Sequence, residues 1–459
     1  MIDRRLRSGL GRWALALLAG VSLVSGCRKG PPEGIALVGA TVIDGTGAPP
    51  KTDQVVVVRA GKIESISSVF GFDAPKNTRE INVGGRFIIP GLIDAHAHVT
   101  RWMLPRYLAY GVTSVRDTHG TLDSILAIRD GAELHSFASP RIYTAGSMID
   151  GVPATYADAI PVQNPTEGRK AVDKLAVADV DFIKVYTRIT PALLGPIIDE
   201  ARTFKLRVSG HLGLTDALTA ARLGIHSIEH MSGIPEAASS NPAPFFAAHR
   251  AGFFTGWTYF EKSWANLDSA SLDRVAHELA SRKVVVVPTL VLHDIFSRLD
   301  DPAVESDSAL RDVPKAEVTR WNVPGMIQRA GWGPADFAAF RASRPNQDLF
   351  IRLFQAAGGT VATGTDAANQ LLVPGKSEHQ ELALLTAAGL TPNQALQAGT
   401  RNAATLLGAD SLGVLAPGKV ADLVILTRNP LTDIRNTQSV ERVMVRGVLF
   451  RADSIRSHW

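Results

Sequence analysis

Cysteine is almost missing: the 459-residue chain has one, Cys27. No disulfide can form within it, so stability must come from the core and from any bound metal. A strong charge of one sign is missing too. The formal net charge is +4, but Arg4, Arg5, Arg7 and Arg12, set against Asp3, supply three of those charges within the first dozen residues. The remainder is near neutral and carries no basic stripe, which excludes a nucleic-acid binder. The apolar stretch Trp13–Val24 falls short of the ~20 residues that cross a bilayer. Sequence repeats and low-complexity tracts are absent as well. What is present is an ordinary globular composition, 45% hydrophobic and 20% charged, which excludes a disordered or collagenous chain. The length suits two or three domains, or one barrel of about 250 residues with additions.

The start of the chain has a basic segment, the short apolar stretch, and then VSGC at 24–27. This order resembles the leader of an exported bacterial lipoprotein. That resemblance implies a signal peptide over 1–27, lipidation at Cys27 and a short tether, RKGPPEG, over 28–34. Arg28 stands where an aspartate tends to retain such proteins at the inner membrane. The expected location is therefore the outer membrane, lipid-anchored and facing the periplasm.

From 35 to 89 the sequence reads as short strands: IALVGATVID, QVVVVRAGKIESIS and REINV. Residues 411–459 have the same texture, in LGVLAPGKVADLVILT and VERVMVRGVLF. Neither end is large enough to close a sheet alone, so the pattern predicts one small β-sandwich built from both. Between them, over 90–410, eight strand-like runs alternate with helical segments: GLIDAHAHV, GVTSVRD, PRIYTAGS, VDFIKVY, LRVSGH, IHSIEH, KVVVVPTL and GTVATGTD. Such alternation predicts an α/β protein with a (β/α)8 TIM barrel, an open doubly wound sheet being the runner-up. Segments 147–180, 231–272 and 296–350 exceed what a barrel unit needs.

Several of these runs end in a chemically useful side chain. His96 and His98 lie two residues apart on one strand face, roughly 6–7 Å along the backbone, and Asp94 shares that face. Lys184 sits in strand four; His211, His230 and Asp366 close strands five, six and eight. Lys184 to His211 is 27 residues and His211 to His230 is 19, each about one strand–helix unit. In a parallel barrel these ends share one mouth, where catalytic groups gather. Neutral imidazoles there can bind zinc. Lys184 is the odd member, since an ammonium repels a metal; pairing with Asp366 is its ordinary alternative.

HAH, FIKVY, SGH, SIEH and GTDA together resemble the amidohydrolase superfamily. So does GKSEHQELALLTAAGLTPNQALQAGTRNAATLLG with the following LGVLAPGKVADLVIL. The likeness covers about residues 35–455 and is best to imidazolonepropionase-like and prolidase-like members. It implies two divalent ions, with zinc the expected metal. By it, His96, His98 and Asp366 hold one ion and His211 and His230 the other. Lys184, carboxylated by carbon dioxide, bridges the pair. True imidazolonepropionases use one metal and lack this lysine, so Lys184 favours the binuclear, peptidase-like branch.

Asp366 is then the catalytic proton shuttle, and the reaction is hydrolysis of an amide C–N bond. A dipeptide, Xaa-Pro-like, or an N-acyl amino acid is the leading substrate. A cyclic amide of the imidazolone or lactam type is a second reading, and a silent binding protein on the same scaffold a third. Tyr186, Arg188 and His293 are candidate substrate contacts at the mouth. His119 is either a substrate contact or a loop histidine, and His226 and His379 are expected to be structural. The Trp257–Trp264 aromatics line a pocket or form the core of their insertion. A homo-oligomer is compatible with the sequence.

Overall fold

Residues 33–134 and 137–458 are described by a computed structural model of the chain. Cys27, the expected leader and nearly all of the tether lie outside the described residues. Phe87–Pro90 joins the two ends of the chain: it pairs in parallel with Gly34–Val42 and antiparallel with Leu423–Leu426. Around it run Lys51–Arg59, Lys62–Ser68, Thr78–Asn82, Val440–Val445 and Val448–Arg451, giving one eight-stranded sheet. The sheet curls back on itself, with Ile63 donating to the Lys419 carbonyl and Ala421 to that of Gly61. Leu37, Val56, Ile88, Leu423, Ile425 and Met444 fill its interior. The β-rich terminal domain is thus assembled from both ends, as a single curled sheet.

The barrel strands are Leu92–Ala97, Val112–Asp117, Arg141–Thr144, Phe182–Val185, Arg207–Gly210, Ser227–Glu229, Val285–Val287 and Thr360–Val361, numbered one to eight below. Their ladders are parallel. The Asp181 amide donates to the Thr144 carbonyl beside strand four, and the Ala95 and His98 amides donate to the Thr363 and Ala367 carbonyls where strand eight meets strand one. Most strand residues are buried on both faces, with Arg141, Tyr143, Arg207 and Thr360 half-buried, which fits a parallel sheet wrapped by helices. Helix boundaries follow local chemistry. Asp216 accepts from the Thr219 amide to start Ala217–Leu223, and Gly224, at φ 99°, ends it in the left-handed region that suits glycine.

Insertion 147–180 includes two short strands, Ile149–Gly151 and Ile160–Val162. Insertions 231–272 and 296–350 are mainly helical. Among the described residues no helix is long and apolar enough to cross a membrane. Asp422 links the two domains. It accepts from Arg141 Nε at 2.9 Å and from the Arg446 amide at 2.6 Å.

His379 lies in the helix that follows strand eight, Lys376–Ala387. Its Nε2 donates to the Tyr110 carbonyl at 2.9 Å and its Nδ1 meets the Thr437 hydroxyl at 2.9 Å. Burial pushes it down to about 4, against an ordinary 6.5, with the Tyr110 carbonyl opposing in part. The unfolded chain therefore binds a proton that the folded one refuses. This contribution is complete above pH 6.5 and is lost as pH falls from 6.5 to about 4, by about 3 kcal/mol at most. Denaturant midpoints at pH 7 and pH 4.5 should show that fall in the wild type and a shallower one in His379→Gln.

Candidate metal centre

Strand one delivers His96 and His98 to the barrel mouth, and strand eight delivers Asp366 opposite them. Glycine makes the approach possible: a Cβ on Gly364 would stand 2.7 Å from His96 Cβ and 2.6 Å from Val287 Cγ1. Asp366 Oδ1 lies 3.2 Å from His96 Nε2 and 2.9 Å from His98 Nε2. Both approaches are off the line of a hydrogen bond, leaving that buried oxygen without such a partner. The ligand-capable atoms of these three residues lie within 4.8 Å of one another. The His230 ring is 4.4 Å from His96 and 4.6 Å from His211, centroid to centroid. His230 and Asp366 have φ of 59° and 60°, strained values for residues with a side chain and a kind of strain that concentrates at functional sites.

Three of the four imidazoles have Nδ1 engaged from behind, which turns Nε2 toward the centre. His96 Nδ1 donates to Glu229 Oε2 at 2.6 Å. His98 Nδ1 donates to the His119 carbonyl at 3.1 Å. His230 Nδ1 meets Thr289 Oγ1 at 2.8 Å. This outer support is how metal-binding histidines are oriented. Glu229 is its hub: its Oε1 accepts from Arg116 at 2.7 Å, Ser209 at 2.5 Å and Ser227 at 2.9 Å. Burial alone would raise the Glu229 carboxyl, but Arg116, His96 and Lys184 outweigh it and hold it well below the usual range. Burial, reinforced by neighbouring cations, keeps His211 and His230 well below theirs, hence neutral. Neutral imidazole is the form that binds a metal.

Lys184 completes the floor. It is 2% exposed, and its Nζ has no hydrogen-bond partner among the described residues; it does not pair with Asp366. Burial lowers it to about 8, with Glu229 and Asp366 opposing and Arg116 assisting. An orphaned amine, an orphaned carboxylate oxygen and imidazoles whose Nε2 atoms turn to the centre form a donor set that fits divalent metal. His96, His98 and Asp366 would hold it on one side and His211 and His230 on the other.

All six side chains line one cavity of about 520 Å³. Tyr186 is also on its wall, with its ring 4.8 Å from that of His211. Arg188 and His293, expected at the mouth, are not on that wall. Arg188 turns away and donates to the Arg250 carbonyl. His293 is buried behind Trp257, stacked at 5.5 Å and bonded to Glu261 at 2.5 Å, because the chain turns into the helix Leu290–Ser297 directly after strand seven. His119 does line the cavity, its Nε2 facing Asp158 at 3.0 Å. Trp257 lines it as well, whereas Trp264 packs in the core on Phe350. Asp94 does not join the centre; it binds the Thr365 amide and hydroxyl and so fixes the strand-eight turn.

Sequence reasoning missed Glu229, Arg116, Tyr156, Phe253 and Arg329. For Glu229 the signal was a carboxylate two residues after Ser227 in an apolar barrel strand, hence on the same inward face.

Four imidazoles, a carboxylate and a buried amine at the mouth of a (β/α)8 barrel describe a metal-dependent hydrolase. Comparison with known proteins gives the family: the chain belongs to the amidohydrolase family, whose profile matches residues 87–450. An imidazolonepropionase of Deinococcus deserti is 43% identical over 439 residues, 92% of this chain and 95% of that protein. An ochratoxinase of Aspergillus niger is 36% identical over 373 residues, 76% of this chain and 67% of that protein. Among solved structures, a Xaa-Pro dipeptidase with bound methionine in the active site superposes with a TM-score of 0.68 at 19% identity, covering 91% of this chain and 100% of that one; this last likeness bears on the fold. The protein is a hydrolase acting on carbon–nitrogen bonds, rather than a silent scaffold.

Glu229→Gln should weaken divalent-metal affinity about 10–100-fold, read as metal retained after dialysis against a graded chelator. Unchanged retention would remove Glu229 from the support of His96.

Proposed function

We infer that this hydrolase cleaves the amide bond of a dipeptide or an N-acyl amino acid, using two divalent ions, with zinc as the proposed metal and carboxylated Lys184 as the bridging ligand. The observation that carries this reading is the meeting of His96, His98, Lys184, His211, His230 and Asp366 in one cavity. Lys184 favours two ions, because a buried amine beside a cation is useful once it becomes an anion that can serve both. Metal held there would lower the pKa of water and polarise a carbonyl oxygen.

The chain's own groups supply the rest. Burial alone would raise Asp366, but the adjacent His96 and His98 hold it well below the usual carboxylate range, so it is ionised. It takes the proton of the attacking water and returns it to the departing nitrogen, since an unprotonated amine leaves poorly. Tyr186, Tyr156, Phe253 and Trp257 give the cavity an aromatic wall. Tyr186 lies 6.2 Å from Phe253, nearly parallel. Such a wall suits an apolar side chain and excludes water from the reacting bond.

Xaa-Pro-like dipeptidase activity is the leading specific assignment, by family resemblance. Hydrolysis of a cyclic amide is the second reading, favoured by the 43% identity to an imidazolonepropionase. The leader motif ending at Cys27 supports a lipid-anchored protein at the periplasmic face, the outer membrane being favoured.

A hydrolysis screen of zinc-loaded protein against dipeptides, N-acyl amino acids and lactams separates the readings. The expected result is turnover of the first two groups, reduced roughly 10²–10⁴-fold in Asp366→Asn and also lost in Lys184→Ala. Turnover confined to lactams would favour the cyclic-amide reading. Full activity in both variants would end the assignment of these roles.

A further inference from the structure

The insertion 296–350 places a helix, Val323–Ala330, across the cavity mouth. Both of its flanks are tied down. Before it, Trp321 Nε1 donates to the Ala368 carbonyl at 3.0 Å, two residues beyond Asp366. After it, Trp332 Nε1 donates to Thr258 Oγ1 at 2.7 Å, on the helix that carries Phe253 and Trp257. Asn322 caps its start, accepting from the Gly325 amide. The helix therefore bridges the proton-shuttle side of the mouth and the aromatic side.

Met326 and Arg329, three residues apart and so on one helix face, are its contributions to the cavity lining. Arg329 has no hydrogen bond or ion pair to another described residue. Apart from Lys184 and the histidines, it is the lone cation among the cavity-lining residues. An exposed guanidinium on the cavity wall, with five donors in a planar fork, matches a carboxylate in charge and shape.

We propose that Arg329 binds the free carboxylate of the substrate and makes the enzyme selective for acids over the corresponding amides. The proposal rests on the reading above and narrows it: the substrate's scissile amide lies on the floor, its apolar side chain lies on the aromatic wall, and its carboxylate points to the mouth. The insertion is then a specificity element, fixed at both flanks. A bound carboxylate would replace the water on Arg329 with charge-assisted hydrogen bonds.

The test uses N-acetyl-L-phenylalanine and its C-terminal amide with zinc-loaded wild type, Arg329→Ala and Arg329→Lys, following acetate release. The wild type should prefer the acid. Arg329→Ala should lose about tenfold to hundredfold in kcat/KM on the acid, mainly through KM, and stay unchanged on the amide. Arg329→Lys keeps the charge near the helix end but not the fork, so it should recover part of the loss. Equal loss on both compounds, or none on the acid, would overturn the proposal.

Calorimetric binding of L-phenylalanine and L-phenylalaninamide separates this question from turnover. If the wild type hydrolyses neither acetyl compound, the proposed function fails for this substrate class, yet Arg329 is still judged by binding. Binding of L-phenylalanine about tenfold weaker in Arg329→Ala, with L-phenylalaninamide unaffected, supports the carboxylate site. No binding to the wild type, or an equal change for both, overturns it.

Discussion

An amine buried without a partner is the constraint on which the site depends. Lys184 lies in a strand whose residues are all buried, and its buried nitrogen has no hydrogen-bond partner among the described residues. Leaving such a group unpaired costs several kcal/mol if it stays charged. Burial instead moves it toward the neutral form, down to about 8. A neutral amine is the form that adds carbon dioxide, so the environment that makes Lys184 expensive as a cation suits its proposed conversion to an anionic bridge. The other groups fit around that need: two histidines kept neutral, a carboxylate kept ionised, and imidazoles turned inward by contacts made behind them.

Those contacts explain how the centre is held. Glu229 carries one negative charge into the barrel and answers it four times, with Arg116, His96, Ser209 and Ser227. Arg116 in turn donates to the Ala95 carbonyl at 2.5 Å, which ties the support to the backbone of strand one. Asp94 does the same for strand eight through Thr365. The centre is thus stiffened from strands one, two, five and six and from the turn after strand eight. The terminal sheet acts further off: Asp422 holds Arg141 at the base of strand three, so the two ends of the chain brace the barrel without reaching its mouth.

The fold class was legible because alternation of strand and helix repeats eight times with ordinary spacing, and the terminal strands had no other partners. The convergence of His96, His98, Lys184, His211, His230 and Asp366 was legible for a related reason. Each stands at or near a strand end, and barrel topology brings strand ends together whatever the loops do. Arg188 and His293 failed where that logic stops. Past a strand end the loop decides direction: the turn that Asp94 fixes on Thr365 carries Asp366 into the cavity, whereas helix Leu290–Ser297 turns His293 away from it. Glu229 was hidden by its neighbour: His230 drew the attention, while the carboxylate facing the barrel interior was readable only by counting alternation from Ser227. Arg329 could not be found from sequence at all. It belongs to a 55-residue insertion over 296–350 whose path is fixed by Trp321 and Trp332, tryptophans that carry no motif.

Metal stoichiometry tests the central claim most directly. Elemental analysis of the purified full chain, zinc-loaded and freed of excess metal, should give two divalent ions per chain for the wild type and at most one for Lys184→Ala. A wild type without stoichiometric metal, or a lysine variant that keeps both ions, would contradict the account of Lys184 as the bridge on which the centre is built.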